Sequence, residues 1–328
     1  MDEETMNLAY MAGVMDGDGS FSLIKRSSVN GQSPLYYPVI QLANSFKGLI
    51  DFFRDKFGGT YAIKKAKISS EGVHRKDSHQ WKLEKSNPCI PFLDKIIPFL
   101  VIKQDRARFL RDYIEKNPFK RGSNRLSNEI LFQREKDYWK MRQFNEEGTM
   151  NKILPKKTIN PNFWPYMAGL MDTDGSFSIR KEISKNKMIS TFYSPIISLS
   201  MIDPRGFNHI QHNFSGGKIK IVKAKTCREG ICYRFVISSA DQSIDFIENC
   251  LPYLKVKPEA AKVLLNFCKN KGFVSYRREG TPEEFLKFRE QCYQDLCSLN
   301  KYGVYKPTLI DLEAYSESHG DKAEAQAP

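Results

Sequence analysis

The chain is short of the residues from which most metal and redox centres are built. Only five histidines occur in 328 residues, and none falls at ligand spacing. His209 and His212 lie three apart, but no cysteine or carboxylate cluster accompanies them. The seven cysteines (Cys89, Cys227, Cys232, Cys250, Cys268, Cys292 and Cys297) are odd in number and include no C-x-x-C. That pattern argues against a disulfide framework or a zinc site and for reduced, structural thiols. No apolar run approaches the ~20 residues of a membrane helix, so no membrane partner is expected. No Gly-Lys-Ser/Thr follows the glycines, which excludes a phosphate-binding P-loop. The opening Met1-Asp2-Glu3-Glu4 is acidic and fits neither a secretory n-region nor an Arg-rich transit peptide. These absences together predict an intracellular, reducing compartment, the bacterial cytoplasm or an organelle.

Acidic residues are also in deficit. Fifty-one Lys and Arg against thirty-eight Asp and Glu give a net charge of +13. Such an excess points to a polyanionic partner, nucleic acid first and an anionic membrane second. With 41% hydrophobic residues the chain can bury a core, and its length suits two domains.

Most of the sequence is written twice. Tyr10-Met-Ala-Gly-Val-Met-Asp-Gly-Asp-Gly-Ser-Phe-Ser returns as Tyr166-Met-Ala-Gly-Leu-Met-Asp-Thr-Asp-Gly-Ser-Phe-Ser. Pro38-Val-Ile-Gln-Leu returns as Pro195-Ile-Ile-Ser-Leu, and Phe57-Gly-Gly as Ser215-Gly-Gly. Ile97-Pro-Phe-Leu-Val-Ile-Lys103 returns as Leu251-Pro-Tyr-Leu-Lys-Val-Lys257. Four ordered matches indicate a duplicated structural unit. The predicted domains are 1–145 and 163–312, joined by a linker at 146–162 rich in Lys, Asn and Pro, with a disordered tail at 313–328.

Each copy opens with a helix that runs into the acidic motif; Leu8, Met11, Ala12 and Met15 form its apolar stripe, and Gly17 and Gly19 break it. Strands are predicted at 21–26, 36–42, 60–68 and 79–85, and again at 177–181, 193–200, 218–226 and 233–238. Amphipathic helices at 47–57 and 204–214 divide each set. Helices follow at 90–99 and 105–115, and near the end of each copy at 127–145 and 282–300. Thr281-Pro282-Glu283-Glu284 is a helix-start signature for the last. The predicted class is α+β: two αββαββα repeats related by a pseudo-twofold axis, each with a four-stranded, largely antiparallel sheet and helices on one face.

Asp18 and Asp174 stand just past a helix end beside a glycine, where a carboxylate is exposed and a ligand can approach. Hard carboxylate oxygens suit Mg²⁺, which takes one or two carboxylates and fills its remaining positions with phosphate and water. A capped turn would use the same residues. A calcium loop would not, because its required Gly and Glu positions hold Phe21 and Ser27 in one copy and Phe177 and Ile183 in the other.

The nine-residue strings Met11-Ala-Gly-Val-Met-Asp-Gly-Asp-Gly19 and Met167-Ala-Gly-Leu-Met-Asp-Thr-Asp-Gly175 resemble the motif of the LAGLIDADG homing endonucleases, in their single-chain, two-motif form. The resemblance implies that the motif helices pack together at the domain interface, their approach allowed by Ala12-Gly13 and Ala168-Gly169. It implies that Asp18 and Asp174 bind catalytic metal, with help from the carbonyls of Gly17 and Thr173, while Asp16 and Asp172 serve interface and helix-end roles. Mg²⁺ is the expected metal, with Mn²⁺ able to substitute and Ca²⁺ able to bind without supporting cleavage. A basic residue near each scissile phosphate maps to Lys103 and Lys257. A polar water-positioning residue maps to Asn44, but its counterpart is Met201, so the two half-sites are expected to cut at different rates.

The antiparallel sheets are expected to form a saddle over duplex DNA, with alternate side chains along the major groove. Alternation from the motif gives Ser20, Ser22, Ile24 and Arg26; the third strand gives Tyr61, Lys65 and Lys67, and the fourth Gln80 and Lys82. The second copy gives Ser176, Ser178, Arg180 and Glu182, then Lys223 and Lys225, then Arg234. Lys64, Arg75, Lys76, Lys218, Lys220 and Arg228 are assigned to phosphates. The expected function is a monomeric, site-specific, metal-dependent DNA endonuclease. It would make a staggered double-strand cut in a long, non-palindromic target and be encoded within an intron. The rival is an intron-RNA-binding splicing maturase on the same scaffold. A non-catalytic regulator and an intein origin fit less well, given two intact acidic motifs and no C-terminal His-Asn.

Overall fold

A computed structural model describes residues 2–27, 33–66, 76–117, 126–147, 160–183, 191–223, 231–270 and 282–302. Most of the expected linker and the whole expected tail lie outside these residues, as do Lys67 and Lys225. The first copy runs α1 (Glu3–Gly17), β1 (Gly19–Arg26), β2 (Leu35–Asn44), α2 (Lys47–Phe57), β3 (Thr60–Lys64), β4 (Ser78–Glu84), α3 (Ser86–Ile96), α4 (Gln104–Lys116) and α5 (Asn128–Glu147). The second runs α6 (Phe163–Thr173), β5 (Gly175–Ile183), β6 (Thr191–Met201), α7 (Pro204–Asn213), β7 (Lys218–Lys223), β8 (Ile231–Ile237), α8 (Ala240–Cys250), α9 (Pro258–Lys269) and α10 (Glu283–Tyr302). The two four-stranded sheets share one order, β1-β2-β4-β3 and β5-β6-β8-β7, as the duplication predicts.

Most predicted boundaries move by a residue or two, and two move further. The strand expected at 60–68 ends at Lys64 within the described residues. The helix expected at 90–99 starts at Ser86 and passes Pro91 before closing in a 3-10 turn at Ile97–Phe99. Its start takes in Pro88 because a proline in the first turn forfeits no helical hydrogen bond.

The packing divides the chain into two compact units: Met1–Gly175 with Leu199–Val236 and Pro252–Val256, and Ser176–Ser198 with Ile237–Leu251 and Lys257–Pro328. Both motif helices belong to the first. There α1 starts at Asp2, whose side chain accepts from the Thr5 N–H at 2.8 Å, and Glu3 and Glu4 suit the positive helix start. From Leu8 to Asp16 the helix is buried all round, because α6 packs on it from the side its stripe leaves open. Beneath the first sheet Trp81, Phe53 and Phe92 form an aromatic core with centroids 5.2–6.5 Å apart. The Trp81 indole donates to the Gly58 carbonyl at 2.7 Å. Gly58 and Gly59 take positive φ in the turn from α2 into β3.

In the second unit Glu290 of α10 accepts from Lys181 at 2.7 Å and from the Tyr193 hydroxyl, which fastens the helix to β5 and β6. Asn300 donates to the Phe177 carbonyl at 3.1 Å. The first unit repeats the device with Glu135, Lys25 and Tyr36, and with Asn145 on the Phe21 carbonyl.

Candidate active site

Each motif helix crosses the other at glycine. A Cβ on Gly13 would stand 2.0 Å from the Tyr166 carbonyl oxygen, and one on Gly169 would stand 2.1 Å from that of Tyr10. Nothing larger than hydrogen fits at either point. The close approach brings the two motif ends together. Asp18 caps α1 and Asp174 caps α6, each exposed and in the right-handed region. The position of a Cβ on Gly17 lies 2.0 Å from Thr173 Oγ1 and 3.4 Å from Asp174 Oδ2. The Gly-for-Thr difference between the motifs is thus steric, since only one of the two facing residues has room for a side chain.

Around this pair stand the other expected groups. Asn44 donates from Nδ2 to Asp18 Oδ2 at 2.8 Å, while its Oδ1 accepts from the Phe46 N–H at 2.8 Å, which fixes the amide's orientation. Lys103 donates from Nζ to the carbonyls of Met15 at 3.0 Å, Gly17 at 2.7 Å and Gly19 at 2.7 Å. Three acceptors match the three donors of an ammonium group. Burial pushes the Lys103 amine down to about 8, with Asp16, Asp174 and Asp18 acting in the opposite direction. The Gly17 carbonyl therefore already carries one hydrogen bond and keeps one lone pair for another partner.

The first carboxylate of each motif points inward. Asp16 Oδ1 accepts from the Lys103 N–H at 2.7 Å, and Oδ2 from the N–H groups of Val101 at 2.8 Å and Ile102 at 2.9 Å. Burial raises its pKa, and these amides oppose that. Asp172 Oδ2 accepts from the N–H groups of Lys255 at 2.7 Å and Val256 at 3.0 Å. Tyr166 OH donates to Asp16 Oδ2 at 2.9 Å, and Tyr10 OH donates to Asp172 Oδ2 at 2.7 Å. Residue patterning gave the tyrosines no role, although their recurrence one place before each motif was the available signal. Lys257 is the N-cap residue of α9, as Lys103 is of α4.

Met201 does not take the place of Asn44. It is buried, and its Cε lies 2.7 Å from where a Cβ on Gly206 would stand, with Ile102 Cδ1 3.1 Å from that point. The neighbouring Arg205 is buried and donates to Asp203, to Asp105 at 3.2 Å and to the Ile102 carbonyl.

Register corrects the expected groove-facing set. Directly opposed residues of an antiparallel pair share a face. Ser20 opposes Gln41, which opposes Lys82, which opposes Thr60. The open face therefore carries Ser20, Ser22, Ile24, Arg26, Gln80 and Lys82 as expected, and adds Gln41 and Lys64. Tyr61 opposes the buried Trp81, stacks on His79 and lies beneath Lys47 and Arg54 of α2. Lys65 lies beyond the end of β3 and pairs with Asp77 at 2.8 Å. Tyr61 was assigned to the wrong face, because a one-residue offset in counting a strand inverts every side chain. In the second copy Phe177 and Ile179 are buried while Ser176, Ser178, Arg180 and Glu182 alternate with them, and Arg180 pairs with Glu182 at 3.3 Å. Arg234 opposes Lys220 and donates to Ser200 at 3.2 Å. Lys223 ends β7, and its side chain lies outside the described residues.

Among the described residues no three His, Cys, Asp or Glu side chains group to hold a metal ion, and no helix is long and apolar enough to cross a membrane.

Residues 167–271 match the LAGLIDADG endonuclease family model. Among solved structures the chain is similar to the I-LtrWI LAGLIDADG homing endonuclease bound to target DNA, with TM-score 0.65 and 14% identity over 89% of this chain and 98% of that one. It is also similar to the LAGLIDADG homing endonuclease I-GzeII in complex with its DNA target, with TM-score 0.61 and 17% identity over 87% and 97%. The chain has the LAGLIDADG homing-endonuclease fold. A third similar structure is I-SmaMI bound to uncleaved DNA target in the presence of calcium ions, with TM-score 0.62 and 15% identity over 86% and 97%. No curated protein matches the sequence at a significant level. The family match begins at the second motif and does not reach the first copy. The first copy carries the LAGLIDADG pattern through the internal repeat and through the shared sheet order.

Proposed function

We propose that this chain is a site-specific DNA endonuclease, monomeric and intron-encoded, that hydrolyses one phosphodiester in each strand of a long, non-palindromic duplex. The observation that carries the reading is the pairing of Asp18 and Asp174, exposed side by side at the ends of two helices locked together at Gly13 and Gly169. The repeats 1–145 and 163–312 would act as pseudo-twofold halves, each setting its open sheet face along the groove. The DNA complexes of the similar structures support a duplex partner.

The donor set fits a hard divalent cation. Two carboxylates and the carbonyls of Gly17 and Thr173 offer only oxygen, and too few ligands for a cation held by protein alone. Asp18 and Asp174 would hold it, and phosphate and water would complete its shell. When bound, Mg²⁺ supplies charge neutralisation at the phosphate and a more acidic water. Asn44 holds Asp18 Oδ2 and fixes the carboxylate's orientation. Lys103 keeps an ammonium charge near the reacting phosphate, where negative charge develops, and Lys257 is assigned the same task. Ser20, Ser22, Arg26, Gln41, Gln80 and Lys82 would read base edges, as would Ser176, Ser178, Arg180 and Arg234. Lys64, Lys218 and Lys220 would hold phosphates.

The test is cleavage selection from a randomised duplex library with Mg²⁺, Mn²⁺ and Ca²⁺ arms. A single long site cut in both strands with Mg²⁺ or Mn²⁺, and only bound with Ca²⁺, is the expected result. Full cutting by the Asp18→Asn, Asp174→Asn double variant would overturn the reading.

A further inference from the structure

We propose that each motif tyrosine is a positioning residue for the lysine turn of the opposite copy. The proposal rests on the nuclease reading above and deepens it. Tyr10 lies in α1, yet its hydroxyl is spent on Asp172 of α6. Asp172 in turn gathers the N–H groups of Lys255 and Val256, the turn that delivers Lys257 one residue later. Tyr166 lies in α6, yet its hydroxyl is spent on Asp16 of α1. Asp16 gathers the N–H groups of Val101, Ile102 and Lys103. All four side chains are almost sealed from solvent: Tyr10 and Tyr166 are each 1% exposed, Asp16 4% and Asp172 1%.

Burial makes these bonds consequential. A sealed carboxylate is tolerable only while its lone pairs are filled, and here one lysine turn and one foreign tyrosine both contribute to the filling. Removing the hydroxyl takes one donor away from a buried carboxylate. The carboxylate must rotate to recover a donor, and the backbone turn it grips moves with it. A displacement of an ångström at a catalytic group costs about 10²-fold. Lys103 is further held by three carbonyls of the first motif, so its displacement should be partial. The crossing also means that neither lysine turn can set correctly until α1 and α6 have docked. A half-folded chain would thus carry no competent site.

The experiment uses the full chain and its selected target, each strand labelled separately, with Mg²⁺. Lys103→Met and Lys257→Met first show which strand each lysine serves. Tyr166→Phe is expected to slow, by about tenfold, the strand lost in Lys103→Met, and to leave the other within about twofold. Tyr10→Phe is expected to slow the strand lost in Lys257→Met. The ratio of strand rates then moves in opposite directions in the two variants, which a merely structural defect at a shared helix pair would not produce. Equal slowing of both strands, slowing of each tyrosine's own-copy strand, or unchanged ratios would overturn the crossing. If a phenylalanine variant fails to fold, 4-methylphenylalanine at the same position fills the hydroxyl's volume without donating, and the same ratios decide. Failure of that variant to fold would make the contact structural and end the proposal. A wild type that cuts neither strand would instead sink the nuclease reading.

Discussion

The Cα of Gly13 sits against the carbonyl of Tyr166, so close that a methyl group would stand 2.0 Å from the oxygen. The obstacle is backbone, which cannot rotate aside as a side-chain tip could. Gly13→Ala is expected to destabilise the chain by at least about 2 kcal/mol, and Gly169→Ala by a similar amount. Chemical unfolding checks this; a change under about 0.5 kcal/mol would show that the helices can slide apart cheaply.

The acidic pair bears the cleavage chemistry in the proposed function. Asp18→Asn keeps the side chain's shape and the bond to Asn44 can be re-formed through its remaining oxygen, so the fold should hold. Cleavage should fall by at least about 10²-fold, the scale of losing a group aimed at transition-state charge, with DNA affinity little changed. Gel-shift and cleavage assays on the same preparation separate the two effects.

Asn44 and Met201 should respond unequally to exchange. Asn44→Ala releases Asp18 Oδ2 and is expected to slow one strand by about tenfold. Met201→Asn should not create a second copy of that site. It would bury an amide between Gly206 and Ile102 with no evident partner, at a cost of about 1–3 kcal/mol. Strand-resolved kinetics and thermal unfolding test the pair, and a faster second strand in Met201→Asn would contradict the geometry.

Lys103 should make cleavage fall off on the alkaline side. Burial sets its amine at about 8, below the ordinary 10.5, so the ammonium charge is present at neutral pH and lost as pH rises through about 8. The rate advantage of wild type over Lys103→Met should therefore shrink above that pH. A constant ratio from pH 7 to 9.5 would remove the charged lysine from the mechanism. The sign for stability is the reverse: the unfolded chain holds this proton more tightly, so the residue favours folding more as pH rises from about 8 towards 10.5.

Glu290 gives the second unit an acid limit. Hydrogen bonds from Lys181, Tyr193 and Gln294 lower its pKa to about 2 from 4.5. A depressed carboxyl contributes stability that is whole above pH 4.5 and is lost as pH falls through about 2. Glu290→Gln should lower the melting temperature at pH 7, and its deficit against wild type should close between those values. A deficit that persists unchanged at pH 2 would place the effect in packing, not in charge.

Much of this protein was legible as text. The duplication, the α+β class, the helix that ends in each motif and the two exposed aspartates follow from local rules, because a glycine after an apolar helix and a period-2 strand constrain their own neighbourhoods. Where the count ran along one strand from a fixed start, as from Ser20 to Arg26, the face came out right. It failed at Tyr61, because strand parity across an intervening helix depends on which residues pair, and pairing is a long-range fact. The same limit hid the crossed bonds of Tyr10 with Asp172 and Tyr166 with Asp16, whose partners lie 162 and 150 positions apart. The Met201 position was visible as a departure from Asn44, but only packing against Gly206 and Ile102 shows that its side chain is part of the core. Sequence alone determined which groups the protein has for its chemistry; the docking of α1 on α6 decided which of them meet, since two carboxylates 156 residues apart become neighbours only when both crossing points are glycine.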